Sequence, residues 1–307
     1  MNKDSVPVIG FIGFGNIGAP MCLNMALKHP GELVAYDRNP AAFQALEGTR
    51  ARAAASIAEI AESADVVFLS LPGGPQVEAV CLGEGGLTAG ARKPSIIVDL
   101  STTPVASARS VGARLAERGV SFADAPVART VDAARRGELS IMVGAEPGLF
   151  ERIEPLLRYI GSDVTRCGAS GCGQVIKLIN NALVFEHTVA LAEMMVVGQR
   201  AGVDPSLLLD AVSKGSGDSF VLRNHGRKAM LPREFPVGGF PPEYALKDLA
   251  YVLELARDTG VSAELPALAR RYYEAAVEQG LGGRYFPVVI ELIDRSQDGR
   301  SQATPES

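Results

Sequence analysis

Two features of this 307-residue sequence could do chemistry: a lysine in an apolar setting and a glycine-rich turn. Lys177, in GCGQVIKLINNALVF, is a single cation near the start of a stretch that is otherwise apolar or uncharged for several helical turns. Desolvation favours the neutral amine, a state a proton shuttle must reach in its cycle. Asn181 follows at i+4 on the same helical face, where it can orient the lysine or a bound ligand, with Asn180 beside it. The competing reading is a lysine that snorkels from a buried helix or closes an ion pair between domains.

The glycine-rich turn is Gly13-x-Gly15-x-x-Gly18 in VIGFIGFGNIG, and Asp37 ends the next apolar run, LVAYD. A buried strand over Val8 to Ile12 would feed a tight turn at Gly13. Gly15 has no side chain to block a pyrophosphate, and Gly18 lets the following helix pack closely on the strand. Backbone N–H groups at the helix start, from Gly13, Gly15, Asn16, Ile17 and Gly18, then face the phosphates. Asp37 is placed to accept hydrogen bonds from an adenosine ribose, which favours NAD. Its neighbour Arg38 leaves NADP open, since a guanidinium can take a 2′-phosphate.

These residues need a sheet to hold them. Short apolar runs alternate with helical patterns through the first half, with strands near Val8 to Ile12, Leu33 to Tyr36, Val66 to Leu71, Ile96 to Leu100 and Val120 to Asp124. That alternation predicts βα units and a mostly parallel, Rossmann-type α/β sheet. Runs around Ile141 and Val164, flanking a helix from Glu146 to Tyr159, extend it. Beyond Gly171 the strand signal disappears. Helical spacing recurs through the segment to Ala201, then over Pro205 to Ser213, Glu243 to Thr259 and Leu265 to Gln279. The expected organisation is a dinucleotide-binding domain over 1–168 and an all-α domain over 169–307 for substrate binding and oligomerisation. The polar tail after Arg295 is expected to fray.

Ligands of open α/β sheets bind beyond the carboxyl ends of the strands. That rule selects the segments LPGG, DLSTT and DAPVART, with Leu71 and Pro72 against a cofactor and hydroxyls from Ser101 and Thr102 at the sheet edge. Thr103, just before Pro104, reads equally well as a helix cap.

Composition narrows the partners. A net charge of −5 gives no long-range pull toward nucleic acid or anionic membrane, so any anionic ligand is held by local donors. The four cysteines lack paired CxxC spacing and the three histidines are scattered, which argues against a metal site or a disulfide framework. The first strand follows Met1 closely with no leader pattern, so the cytoplasm is the expected compartment. The apolar stretch from Val175 to Val197 carries Lys177, Asn180, Asn181, Glu186, His187 and Glu193, too polar for a lipid-facing helix. An apolar helical domain fed by one long helix implies a homodimer or homotetramer.

Taken together and in order, IGFIGFGNIGAPM, VDLSTT, DAPV, GCGQVIKLINN and KDL at Lys247 to Leu249 resemble the β-hydroxyacid dehydrogenase family over nearly the whole chain. The resemblance implies an NAD(P)-dependent oxidoreductase that interconverts a small anionic β-hydroxy acid and its semialdehyde. It also implies roles: Lys177 as general acid/base, Asn181 and Ser101 at the substrate, Thr102 near the nicotinamide, and Lys247 approaching the cofactor. Periodicity alone would make Lys247 a solvated helix charge. Two other readings remain: a non-catalytic dinucleotide-binding sensor or scaffold, and an imine reductase on the same fold. Retention of Lys177, Asn181 and Ser101 together argues against the first, and the lysine itself argues against the second.

One segment departs from the family pattern. Common members carry Ser-Gly-Gly after Pro-Val, where this chain has Ala128, Arg129 and Thr130. P-V-A-R-T resembles the P-V-G-R-T of a sulfolactaldehyde reductase-like branch. By that reading Arg129, with Thr130, grips a strongly anionic head group through its planar fork. The opposing reading has Arg129 pointing to solvent with Arg135 and Arg136. The segment from Gly215 to Pro242, with Arg223, His225, Arg227 and Phe240, is a candidate cover for the substrate.

Overall fold

The computed structural model describes residues 6–295; the polar tail expected after Arg295 lies outside the described residues. The chain divides into two compact units, Met1–Lys177 and Leu178–Ser307. The division falls inside one long helix, later than the 168/169 boundary read from the loss of strand signal.

The first unit is built on a nine-stranded sheet. Four-residue strands β1 (Ile9–Ile12), β2 (Leu33–Tyr36), β4 (Val66–Leu69) and β5 (Ile96–Asp99) alternate with α1 (Gly18–Lys28), α2 (Ile57–Ser63) and α3 (Gly74–Leu82), and the short β3 (Arg52–Ala53) pairs β2. After β5 come α4 (Val105–Glu117), β6 (Ser121–Asp124), β7 (Val127–Ala128), α5 (Val131–Arg136), β8 (Leu139–Gly144), α6 (Pro147–Leu157) and β9 (Gly161–Gly168). The order is β3-β2-β1-β4-β5-β6-β8-β7, with β9 on β8. Pairing is parallel from β3 to β6, in register from Ile9 opposite Leu33 and Val66 to Ile96 opposite Ser121. β8 turns antiparallel to β6 and β7, a reversal that the sequence pattern does not announce.

β1, β4 and β5 are buried at every residue, because helices cover both faces of a parallel sheet. Phe11, Phe68, Met21, Met25 and Ile141 pack one face, and Ile12, Val67, Leu69, Ile97 and Leu115 the other. The strand order reverses at β1 and β4. The crevice beyond their carboxyl ends is therefore the natural ligand position.

The second unit is helical and opens within α7 (Cys172–Arg200), followed by α8 (Pro205–Val212), α9 (Pro242–Asp258), α10 (Glu264–Glu278) and α11 (Val289–Arg295). A π-helical segment over Leu222–Met230 was not expected from the sequence. Its buried residues, Leu222, His225, Gly226, Ala229 and Met230, keep a helical period, but His225 and Gly226 conceal it from any apolar pattern.

By length and composition α7 could cross a membrane. Instead Phe185, Val189, Ala192, Met195 and Val196 pack its inner side into the core of the second unit. Gln174, Lys177, Asn181 and Thr188 are buried polar groups on the same helix, which suits a core helix and not a lipid-facing one.

Candidate active site

The carboxyl ends of β1, β2 and β4 bring the first group of residues together. Gly13 leaves β1 with φ +101, and a Cβ there would drive into the carbonyl oxygen of Ser70 at the end of β4. Gly15 differs: nothing lies within 4 Å of where its Cβ would stand, so the backbone faces open space. An exposed backbone with no side chain, at the entry to α1, is the shape a pyrophosphate requires. Asn16 and Ile17 complete the turn before α1 begins at Gly18.

Asp37 closes this group from the end of β2. Its carboxylate accepts the Phe14 N–H at 2.6 Å and the Asn39 N–H at 2.7 Å. Each oxygen keeps a lone pair for a ribose hydroxyl. Arg38 is exposed beside it.

The second group lies after β5 and at the start of α7. The Ser101 hydroxyl accepts the Leu71 N–H at 2.9 Å, and the Ser101 N–H donates to Asp99 Oδ1 at 3.0 Å. With one lone pair so engaged, the hydroxyl retains its proton for a ligand. Thr102 is half-buried on the same segment. Thr103 is not the helix cap that its position suggested; Pro104 takes that place, and the Thr103 N–H goes to Gln174 Oε1 at 3.1 Å. Gln174 Nε2 in turn donates to the Ser101 carbonyl at 2.8 Å.

Asp124, at the end of β6, accepts the N–H groups of Gly171 at 2.6 Å and Gln174 at 2.9 Å. Burial raises its carboxyl pKa above the ordinary aspartate value, against the lowering effect of these N–H groups and that of Gly173. Lys177 follows one turn later on α7, 8 % exposed. Neither Gln174 nor Asp124 was singled out as a site residue from the sequence. A polar residue on a buried face was the only available signal.

Farther along α7, the buried Asn181 donates through Nδ2 to Asp248 Oδ2 at 2.7 Å, which fixes the direction of its amide. Asp248 is 1 % exposed and belongs to α9, next to Lys247. The Lys247 ammonium lies 3.3 Å from Asp248 Oδ1 and 5.5 Å from the centre of the Tyr251 ring. It is more enclosed than a solvated helix charge.

Arg129 is placed elsewhere. Its guanidinium donates to the Glu138 carbonyl at 2.6 Å, Ser162 Oγ at 2.9 Å and Asp163 Oδ2 at 2.7 Å, along the edge formed by β8 and β9. Arg129 also holds φ +87, a left-handed backbone at the position where glycine is usual in the family pattern. Thr130 caps α5, its hydroxyl accepting the Ala133 N–H at 3.3 Å. Both side chains thus have structural partners, and the fork expected for an anionic head group is tied to Asp163. Exposed ion pairs contribute little, whereas glycine relieves a left-handed backbone. Arg129→Gly is accordingly expected to hold or raise the melting temperature and to leave KM for a carboxylate substrate within about threefold of wild type. Thermal unfolding and steady-state kinetics check this; a tenfold rise in KM would return Arg129 to the pocket.

The candidate cover is likewise engaged within the second unit. Arg223 pairs with Asp218, and Arg227 with Asp210 at 2.6 Å. His225 Nδ1 meets the Tyr285 hydroxyl at 2.6 Å, and burial, with Lys228 nearby, lowers its pKa to about 4. Phe240 stacks with Phe185 at 6.0 Å between ring centres.

Comparison with known proteins agrees with this architecture. Residues 8–168 match the NAD-binding domain of 6-phosphogluconate dehydrogenase, and residues 171–293 match a domain described as NAD-binding of NADP-dependent 3-hydroxyisobutyrate dehydrogenase. Among similar curated proteins, 2-(hydroxymethyl)glutarate dehydrogenase of Eubacterium barkeri is 34% identical over 94% of this chain and 95% of its own. NAD-dependent L-serine dehydrogenase of Pseudomonas aeruginosa is 32% identical over 94% of this chain and 98% of its own. The solved structure of Mycobacterium tuberculosis 3-hydroxyisobutyrate dehydrogenase with L-serine superposes with a TM-score of 0.84 at 28% identity, covering 94% of this chain and 99% of that one.

Proposed function

The chain belongs to the β-hydroxyacid dehydrogenase family and is an NAD(P)-dependent oxidoreductase acting on a CH–OH group, and from that premise we propose the substrate class and the roles of its residues. The substrate is a small β-hydroxy acid bearing a primary alcohol, interconverted with its semialdehyde. 2-(Hydroxymethyl)glutarate, L-serine and 3-hydroxyisobutyrate, named in the relatives, share the unit HOCH2–CH(R)–COO⁻ and differ in R. The observation that carries this reading is a buried Lys177 on the first turns of a helix bonded to the Ser101 segment at the sheet's carboxyl edge.

Lys177 takes the hydroxyl proton in oxidation and returns it to the carbonyl oxygen in reduction. Ser101 donates a hydrogen bond to the substrate, and Asn181, its amide held by Asp248, offers a second polar contact. The nicotinamide supplies the hydride acceptor or donor when bound. The open backbone at Gly15 would receive the pyrophosphate, and Leu71, Pro72 and, by the family resemblance, Thr102 and Lys247 would line the cofactor. Asp37 selects NAD, and the exposed Arg38 leaves NADP as an accepted second cofactor. A sulfolactaldehyde preference through Arg129 lacks support, because that guanidinium has three other acceptors.

Turnover of NADH and NADPH with methylmalonate, tartronate and succinic semialdehydes and with sulfolactaldehyde tests this reading. L-Serine and 3-hydroxyisobutyrate test the oxidative direction. Reduction of methylmalonate or tartronate semialdehyde with NADH preferred supports it, and a preference for succinic semialdehyde, whose product is a γ-hydroxy acid, overturns the β-hydroxy acid class. NADH binding without turnover of any compound would favour a non-catalytic dinucleotide sensor.

The enzyme works in the cytoplasm as a homodimer or homotetramer. All four cysteines are free, which suits a reducing compartment. Ile179, Leu183, Met194 and Val197 leave an apolar stripe about half exposed along α7, suited to a second copy of the chain. Leu183→Glu with Met194→Glu is expected to shift the protein to monomer in sedimentation velocity; an unchanged mass would move the interface off α7.

A further inference from the structure

The side chains that hold α7 in the first unit come from residues without a direct chemical role. Asp124 is fully buried and receives N–H groups from Gly171, Gly173 and Gln174 at the positive end of the 29-residue helix. The space around it is made by missing side chains. A Cβ on Gly144 would enter the Asp124 carboxylate, and one on Gly173 would enter the carbonyls of Met142 and Asp124.

Gln174, also fully buried, has both ends of its amide bonded to the Ser101–Thr103 segment, as donor to one carbonyl and acceptor from one N–H. That pairing fixes which end is nitrogen. Gln174 precedes Lys177 by three residues and so lies on the same helical face.

We propose that Asp124 and Gln174 are positioning residues for the acid–base step, fixing the roll of α7 and therefore the place of the Lys177 amine relative to the Ser101 hydroxyl. The inference rests on the reading of Lys177 as the proton shuttle. The geometry makes roll the sensitive coordinate. A side-chain tip roughly 6 Å from a helix axis moves about 1 Å for a 10° roll. A misplacement of about 1 Å can cost roughly 10²-fold in rate. Two anchors on one turn, Asp124 from β6 and Gln174 onto the segment after β5, resist that roll from two directions.

The experiment is a double-mutant cycle using NADH and the semialdehyde acid turned over fastest. Gln174→Leu and Asp124→Asn are each made in the wild-type and Lys177→Ala backgrounds. Readouts are kcat, KM, the pH profile of kcat, NADH affinity by fluorescence and melting temperature. In the wild-type background each variant is expected to lower kcat by about 10- to 100-fold, with KM and NADH affinity within about threefold, and to shift the midpoint of the Lys177-dependent limb of the profile. In the Lys177→Ala background neither is expected to lower the residual rate further.

Wild-type kcat in Gln174→Leu and Asp124→Asn, or an equal fold loss with and without Lys177, overturns the positioning role. Full activity of Lys177→Ala would instead overturn the reading beneath it. Should Gln174→Leu fail to fold, Gln174→Glu, which keeps the acceptor for Thr103, and Asp124→Asn decide by the same criteria.

Discussion

Replacing Lys177 with alanine is expected to lower kcat by about 10²- to 10⁴-fold while NADH affinity stays within about threefold of wild type, the range over which a positioned general acid/base contributes. Lys177 lies on α7, and the Gly13–Gly18 turn proposed to receive the pyrophosphate lies between β1 and α1, so removing the amine leaves that turn intact. The pH dependence has opposite signs in the two directions. Oxidation needs the neutral amine and speeds up as pH rises through its titration; reduction needs the ammonium and slows over the same range. Both limbs are expected to vanish in Lys177→Ala. Lys177→Arg is the sharper variant. It keeps the charge but not the ability to cycle a proton, because a guanidinium does not deprotonate in proteins. It should therefore remain at least about 10²-fold slow in oxidation. Steady-state kinetics across pH in both directions, with NADH titrated by fluorescence, measure these outcomes. A Lys177→Ala enzyme with wild-type kcat would leave the lysine a structural role alone.

The parallel strands and the cofactor turn were legible because each reports itself locally. β1, β4 and β5 are buried on both faces, so their apolar runs stand out. Gly13 is required by its left-handed backbone and Gly18 by the Gly13 carbonyl that a Cβ would strike, while Gly15 is set by the open space in front of it. Lys177 and Asn181 were visible as polar residues in an apolar helix, and the structure finds both buried. The rest depends on partners distant in sequence. Asp124 ends a strand, as many aspartates do, and its meaning lies in N–H groups 47 and 50 residues later. Gln174 reads as a neutral helix residue until its contacts with Ser101 and Thr103 are seen. The partners of Arg129 were hidden for the same reason. A charge beside a conspicuous motif suggests a ligand, but Ser162 and Asp163 reach it from β9. The π-helical segment escaped notice because His225 and Gly226 occupy its buried face.

Within this turn, Gly13 and Gly15 are expected to separate folding from binding. A Cβ at Gly15 meets no atom within 4 Å, and its φ lies outside the left-handed region. Gly15→Val should leave the unliganded protein's stability within about 0.5 kcal/mol of wild type. On the proposed reading the added methyls would occupy the approach of the pyrophosphate, and overpacking of about 1–3 kcal/mol corresponds to roughly 5- to 150-fold weaker NADH binding. Gly13→Ala should do the reverse, striking the fold first. Its φ of +101 is strained for any side chain, and its Cβ would press on the Ser70 carbonyl oxygen, which belongs to backbone and cannot swing aside. Left-handed strain of about 1–2 kcal/mol adds to the overpacking cost, so a loss of roughly 2–5 kcal/mol is expected. Denaturant unfolding without cofactor, paired with NADH titration, separates the two cases. Equal destabilisation by both substitutions would mean that Gly15 serves packing, and the cradle would lose its strongest structural support.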